Sequence, residues 1–208
     1  MKDRNSIIED IKNTGLHIDS RGNIYGPEYK LYVSLRGGLW QKPNEIADLL
    51  MLLQTQTIRT FLNIGTFNGA TFNFISDFLN TIGDTVCITV DPYKYEPNPH
   101  GVENSEPLYK IIPYIYVTGT SNNFKDEYFD FVFIDGLHRY DALQLDWDNV
   151  GKYANIIAFH DINDQDCPDV IRFWKDLVPL VKEDFTVYEF IEPTPNRNLM
   201  GIGVLIRK

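Results

Sequence analysis

Two hydrophobic periods alternate along this chain. Short apolar runs at Thr60–Ile64, Val86–Val90, Tyr114–Thr118, Phe129–Ile134 and Ile156–His160 read as buried strands. Between and around them, apolar residues recur at three- and four-residue spacing. Ile46, Leu49, Leu50 and Leu53 share one helix face, and Phe72, Ile75, Phe78, Leu79 and Ile82 share another. Leu143, Trp147 and Val150 mark a third helix, and Val170, Trp174, Leu177, Val178 and Val181 a fourth. Pro43 opens the first of these, and a short helix is expected near Pro107–Ile112. Phe185–Ile191 and Gly201–Ile206 read as two terminal strands, joined by a loop carrying Pro193, Pro195, Asn196 and Asn198. Strands alternating with helices predict an α/β fold: a doubly wound, mostly parallel seven-stranded sheet with an antiparallel terminal strand.

Residues 1–42 break the pattern. They are polar and aromatic, punctuated by Gly22, Gly26, Gly37 and Gly38, with a short opening helix on Ile7, Ile8 and Ile11. They read as an N-terminal extension packing on a main domain at 43–208.

At 208 residues the chain is long enough for one sizeable core. Its formal net charge of −10 offers no basic footprint for phosphate, so neither nucleic acid nor an anionic membrane surface is an expected partner. No run is long and apolar enough to span a membrane, and the N-terminus lacks a signal-peptide core. Cys87 sits in a strand and reads as a small core residue; it and Cys167 form neither a metal spacing nor a disulfide framework. A reducing, cytoplasmic compartment is expected.

The chemistry gathers where two strands end. Phe129–Ile134 runs into Asp135-Gly136-Leu137-His138, and Ile156–Phe159 into His160-Asp161. In open α/β sheets ligands bind outside the carboxyl ends of strands. Taken singly, Asp135-Gly136 reads as a turn, Asp161 as a helix cap and His160 as a core histidine. Four such residues at two strand ends favour a site. Asp135, His160 and Asp161 suit Mg²⁺ or Mn²⁺, the imidazole tilting the preference toward Mn²⁺. His138 is a natural general base. Arg139 and Tyr140 either reach a substrate or cover the following helix. Asp146 and Asp148 read as solvated helix residues, and His17 and His100 as surface residues.

A second motif, Ile64-Gly65-Thr66-Phe67-Asn68-Gly69, lies between a strand and a helix, and Asp91 ends the next strand. An acid there typically binds a ribose hydroxyl pair. The Gly-x-x-x-Gly spacing differs from that of pyrophosphate binders and suits a nucleoside cofactor without phosphate. The loop 93–104, with Tyr93, Tyr95 and His100, reads as a lid or binding loop whose aromatic faces suit a sugar or a planar ring. Trp40, Gln41 and Arg36 in the extension either close over the cofactor or pack the extension down.

The ordered set Asn63–Gly69, Asp91-Pro92, Gly119-Thr120-Ser121, Phe129–His138 and Phe159-His160-Asp161 resembles the class I S-adenosylmethionine (SAM) methyltransferases. It is most similar to the metal-dependent branch holding macrocin- and mycinamicin-type sugar O-methyltransferases and cephalosporin-hydroxylase-like proteins. With Gly38-Leu39-Trp40-Gln41 it also resembles methyltransferase domains of large-virus glycan-building proteins, such as the terminal rhamnose-methylating domain of chloroviruses. The resemblance spans roughly residues 44–208 and implies a Rossmann-like fold. It implies SAM and a divalent metal (Mg or Mn) as cofactors, and a carbohydrate acceptor. It is also compatible with one domain of a larger glycan-assembly protein, in host cytoplasm if viral. It would place Gly65, Thr66, Asn68 and Gly69 along the methionine and ribose, Asp91 on the ribose hydroxyls, and Thr120 and Ser121 near the adenine. Asp135, His160 and Asp161 would hold the metal and His138 would be the base. Trp40, Tyr93, Arg139 and Tyr140 become candidates for the acceptor side. Two departures stand out: Asn63 where the family has Glu or Asp, and Tyr153-Ala154-Asn155 where it has Gly-Gly. Alternative readings are a catechol or phenol acceptor, a non-catalytic SAM- or nucleotide-binding module, and, least fitting, an NAD-dependent oxidoreductase.

Overall fold

The computed structural model describes residues 1–18, 24–34, 37–93, 113–194 and 198–208. The expected helix near Pro107–Ile112, and Gly22, Arg36, Tyr95, His100, Pro195 and Asn196, lie outside the described residues.

Strands β1 (Leu16–His17) and β2 (Val33–Ser34) form a small parallel pair. The main sheet contains β3 (Thr60–Ile64), β4 (Val86–Asp91), β5 (Ile115–Thr118), β6 (Phe131–Ile134), β7 (Ile156–His160), β8 (Phe185–Phe190) and β9 (Ile202–Arg207). Its order is β5-β4-β3-β6-β7-β9-β8. Pairings are parallel except those of β9, which runs antiparallel to both β7 and β8. This is the Rossmann-like, doubly wound sheet expected from the alternating periods. Its helices are α1 (Arg4–Thr14), α2 (Pro43–Leu53), α3 (Ala70–Ile82), α4 (Tyr140–Asn149) and α5 (Pro168–Val181).

Strand side chains alternate between two core layers, as the period of two requires. Phe61, Phe131, Phe133 and Ala158 face one layer with α2 and α3 residues such as Leu50 and Phe72. Leu62, Ile64, Val132, Ile134, Ile157 and Phe159 face the other, with Leu143 and Trp147 of α4 and Phe173 and Trp174 of α5. The extension is part of the first layer: Ile7, Ile11, Leu16, Tyr25 and Leu39 are buried in it. Two polar ties pin it further. Arg4 Nε donates to Asp48 at 2.6 Å. The buried Lys42 ammonium donates to the Glu192 and Leu199 carbonyls and to Thr194 Oγ1.

The chain winds outward from β3 through β4 to β5, then returns to place β6 on the other side of β3. Ligands bind at such a reversal. Gly65 leaves β3 with φ +89°, and a Cβ on it would stand 2.1 Å from the Asp135 carbonyl oxygen at the end of β6. A glycine is therefore required to let the two strand ends close together, before any ligand is considered.

Candidate active site

A cleft of about 710 Å³ opens along the carboxyl ends of β3, β4, β5, β6 and β7. Residues 63–68 form one wall and the first turns of α4 another; Trp40 and Gln41 of the extension line it too.

At the β3–β4 end, Thr66 N–H donates to Asp91 Oδ2 at 2.8 Å, and Tyr93 N–H donates to Oδ1 at 3.0 Å. Asp91 is thus held in place with lone pairs still free toward the cleft. Buried Asn63 donates from Nδ2 to the Gly65 carbonyl at 2.6 Å and to Thr89 Oγ1 at 2.9 Å. Thr66 and Thr89 hydroxyls pair at 2.7 Å beneath the turn. Asn68 donates to the Gly38 carbonyl, tying the turn to the extension. Gly69, at φ +78°, begins α3 and is not among the residues lining the cleft. Thr120 caps a short 3-10 turn over Ser121–Phe124, and Thr120 and Ser121 line the far end of the cleft.

Asp146 faces that same end. It was expected to be solvated, yet it is buried. Burial raises its pKa to about 6, and the hydrogen bond from Ser121 offsets this only in part. The spacing explains the position: Asp146 follows Leu143 by three residues and so lies on the inward stripe of α4.

At the β6–β7 end, four titratable side chains meet. His160 Nδ1 lies 3.2 Å from Asp135 Oδ1 and 3.2 Å from Asp161 Oδ2. His138 Nε2 lies 3.2 Å from Asp161 Oδ2 and 3.6 Å from Asp135 Oδ1. Gln41 Nε2 donates to the other oxygen, Asp135 Oδ2, at 3.0 Å, while its own oxygen accepts from Thr71. Burial pulls both imidazoles down, but the facing carboxylates outweigh it. His138 rises to about 11 and His160 well above its ordinary value. Burial would raise Asp135, but the His160 charge and bonds from both histidines leave it well below the usual carboxylate range. Asp161 takes φ +63°, a left-handed conformation rare outside glycine and a form of strain that clusters at functional sites. Asp135, His160 and Asp161 offer two carboxylate oxygens and one imidazole nitrogen within 4.8 Å of one another, a donor set that fits a divalent cation.

The outer candidates divide. Trp40 and Tyr93 line the cleft; Arg139 and Tyr140 do not. Arg139 pairs with Asp141 in solvent, and Tyr140 packs on Phe173 and donates to Asp176. His17, expected at the surface, is buried and stacks on Trp40 at 4.5 Å, with Phe67 of the turn against both rings. Cys167, at the start of α5, joins the cleft lining beside His138.

Residues 62–162 match the model of a family described as a methyltransferase domain. No curated protein sequence matches the chain. Among solved structures, the O-methyltransferase of Bacillus cereus in complex with SAH is 17% identical, with a TM-score of 0.54 over 100% of this chain and 92% of that one. The O-methyltransferase TomG of Streptomyces achromogenes, involved in tomaymycin synthesis and solved with SAM, is 16% identical, with a TM-score of 0.52 over 82% of each chain. An rRNA methylase of Streptococcus thermophilus is 12% identical, with a TM-score of 0.54 over 78% of this chain and 96% of that one. Residues 62–162 are thus similar to a methyltransferase domain, and the chain has the fold of these solved O-methyltransferases. Proteins of this shape act on different acceptors, an rRNA among them.

Proposed function

We propose that this chain is a class I SAM-dependent methyltransferase that O-methylates a sugar hydroxyl within a glycan or glycoside, assisted by a divalent cation. The observation that carries the reading is the convergence of Asp135, His138, His160 and Asp161 at one end of the cleft whose other end holds Asp91 and the Gly65 turn.

Asp91 accepts from the ribose hydroxyls, and the Gly65–Asn68 turn flanks the methionine portion. Thr120, Ser121 and Asp146 stand at the adenine end, where the Asp146 carboxylate is an acceptor for the exocyclic amine. SAM supplies an electrophilic methyl group. Asp135, His160 and Asp161 would hold Mg²⁺ or Mn²⁺, which would lower the pKa of a coordinated hydroxyl. His138, the most exposed of the four, accepts the hydroxyl proton. Held by two carboxylates alone it stays protonated, so a cation on those carboxylates is what would free it as a base. Trp40 and Tyr93 offer aromatic faces to the C–H surface of a sugar ring. The charge of −10 argues against an RNA acceptor despite the shared fold.

The test is methyl transfer to a panel of sugar and catechol acceptors. Turnover on sugars with Mn²⁺ or Mg²⁺, lost on chelation, is the expected result. His138→Ala should cut turnover by about 10²- to 10⁴-fold while SAH affinity stays near wild type. Turnover confined to catechols would replace the sugar assignment, and unchanged turnover in His138→Ala would remove it from the mechanism.

A further inference from the structure

One side chain beside the proposed metal set, Cys167, is not used by that reading. Cys167 Sγ lies 3.4 Å from His138 Nδ1, while the far side of the same ring, Nε2, lies 3.2 Å from Asp161 Oδ2. One donor from each of His138, Asp161 and Cys167 falls within 4.8 Å of the other two. A thiol, an imidazole and a carboxylate form a softer set than Asp135, His160 and Asp161, and the two sets share Asp161.

From this geometry we infer that the cleft holds a second, thiophilic metal site at His138, Asp161 and Cys167, selective for Zn²⁺ or Cd²⁺ over Mg²⁺. Thiolate ligands select such ions, and carboxylates and water suit the hard ones. Tetrahedral zinc with bonds of about 2.0–2.3 Å sets its donors roughly 3.3–3.8 Å apart, so Cys167, Asp161 and one nitrogen of His138, already within 4.8 Å of one another, have to draw together to bind it. Three protein ligands leave a fourth position open to the cleft. An entry path exists, because the His138 side chain is 40% exposed and Cys167 is half-buried. Cys87, the other thiol, is buried in the core among Phe61 and Phe78 and takes no part. On binding, the Cys167 thiol and the His138 imidazolium each give a proton to solvent and a lone pair to the metal; no electron transfer is involved.

The consequence rests on the reading of His138 as the base. An ion here occupies that imidazole and one carboxylate of the hard set, so Zn²⁺ inhibits where Mn²⁺ activates. Binding itself needs neither SAM nor an acceptor and can be tested if the methyl-transfer reading fails.

The experiment titrates the metal-free full-length chain with Cd²⁺, following the ultraviolet thiolate-to-metal absorption, and measures Zn²⁺ affinity by competition with a chromophoric chelator. The expected result is a band saturating at one Cd²⁺ per chain. Cys167→Ser should abolish it and weaken Zn²⁺ binding by about 100-fold or more, beyond the loss of a supporting partner alone. Cys87→Ser should change neither. If Cys167→Ser does not fold by circular dichroism, stoichiometric Zn²⁺ should instead protect wild-type Cys167 from alkylation. Absence of the band in wild type, its survival in Cys167→Ser, or unprotected alkylation would overturn the site.

Discussion

At position 63 an amide does what a carboxylate cannot. Asn63 donates two hydrogen bonds, to the Gly65 carbonyl and to Thr89, from a buried position. A carboxylate there would face the carbonyl with no proton to offer. Asn63→Asp should therefore destabilise the fold by about 1–3 kcal/mol at neutral pH, read as a lower denaturation midpoint. An equally stable variant would mean the turn does not depend on the amide. The same residue shows what single positions disclose in a sequence. Its departure from the family pattern was visible, but its reason was not, because the partner is a backbone carbonyl two residues on. Asp135, His138, His160 and Asp161 were legible because they follow apolar runs that can only be strands. Cys167 was not singled out as a site residue, and Gln41 only as part of a segment that closes over the cofactor or packs down: their partners His138 and Asp135 lie far away in sequence, and only the folded chain brings them together.

At the scale of elements, every strand of the main sheet was legible to within one or two residues; the signal is strongest in β6 and β7, which are buried throughout, and weaker in the edge strands β5 and β8, which are largely exposed. The β1–β2 pair was missed, being only two residues long in each strand and lacking a readable period. Helix α4 carries a charge on its inward face, and this has a measurable cost. Asp146 has a folded pKa of about 6, above its unfolded value near 4. Between those values the folded state binds more protons, so this residue makes stability fall as pH rises through that window. Asp146→Asn should raise the melting temperature at pH 7.5, with the gain shrinking toward pH 4.5, while weakening SAH binding. A gain independent of pH would contradict the buried-carboxylate account. The β3–β6 junction sets a second limit. Gly65→Ala drives a methyl group into the Asp135 backbone at a positive φ, so a loss of more than about 2 kcal/mol is expected in chemical denaturation. A neutral substitution would show that the strand ends have room to part.

Over the whole molecule, sheet order, extension and charge act together. The reversal between β3 and β6 brings the Gly65 turn against Asp135, and the extension seals that junction through Gln41, Trp40 and the Asn68–Gly38 bond. One cleft then joins the end lined by Asp91 and the Gly65 turn to a carboxylate–imidazole end. Among the described residues no helix is long and apolar enough to cross a membrane. The central claim is that SAM occupies this cleft with its ribose on Asp91. Its most direct test is calorimetric titration of S-adenosylhomocysteine into the wild-type protein and into Asp91→Ala. The account predicts saturable one-to-one binding to wild type, weakened about 10- to 100-fold in Asp91→Ala by loss of a charged hydrogen-bond acceptor. No binding to wild type, or equal binding to both proteins, would contradict it.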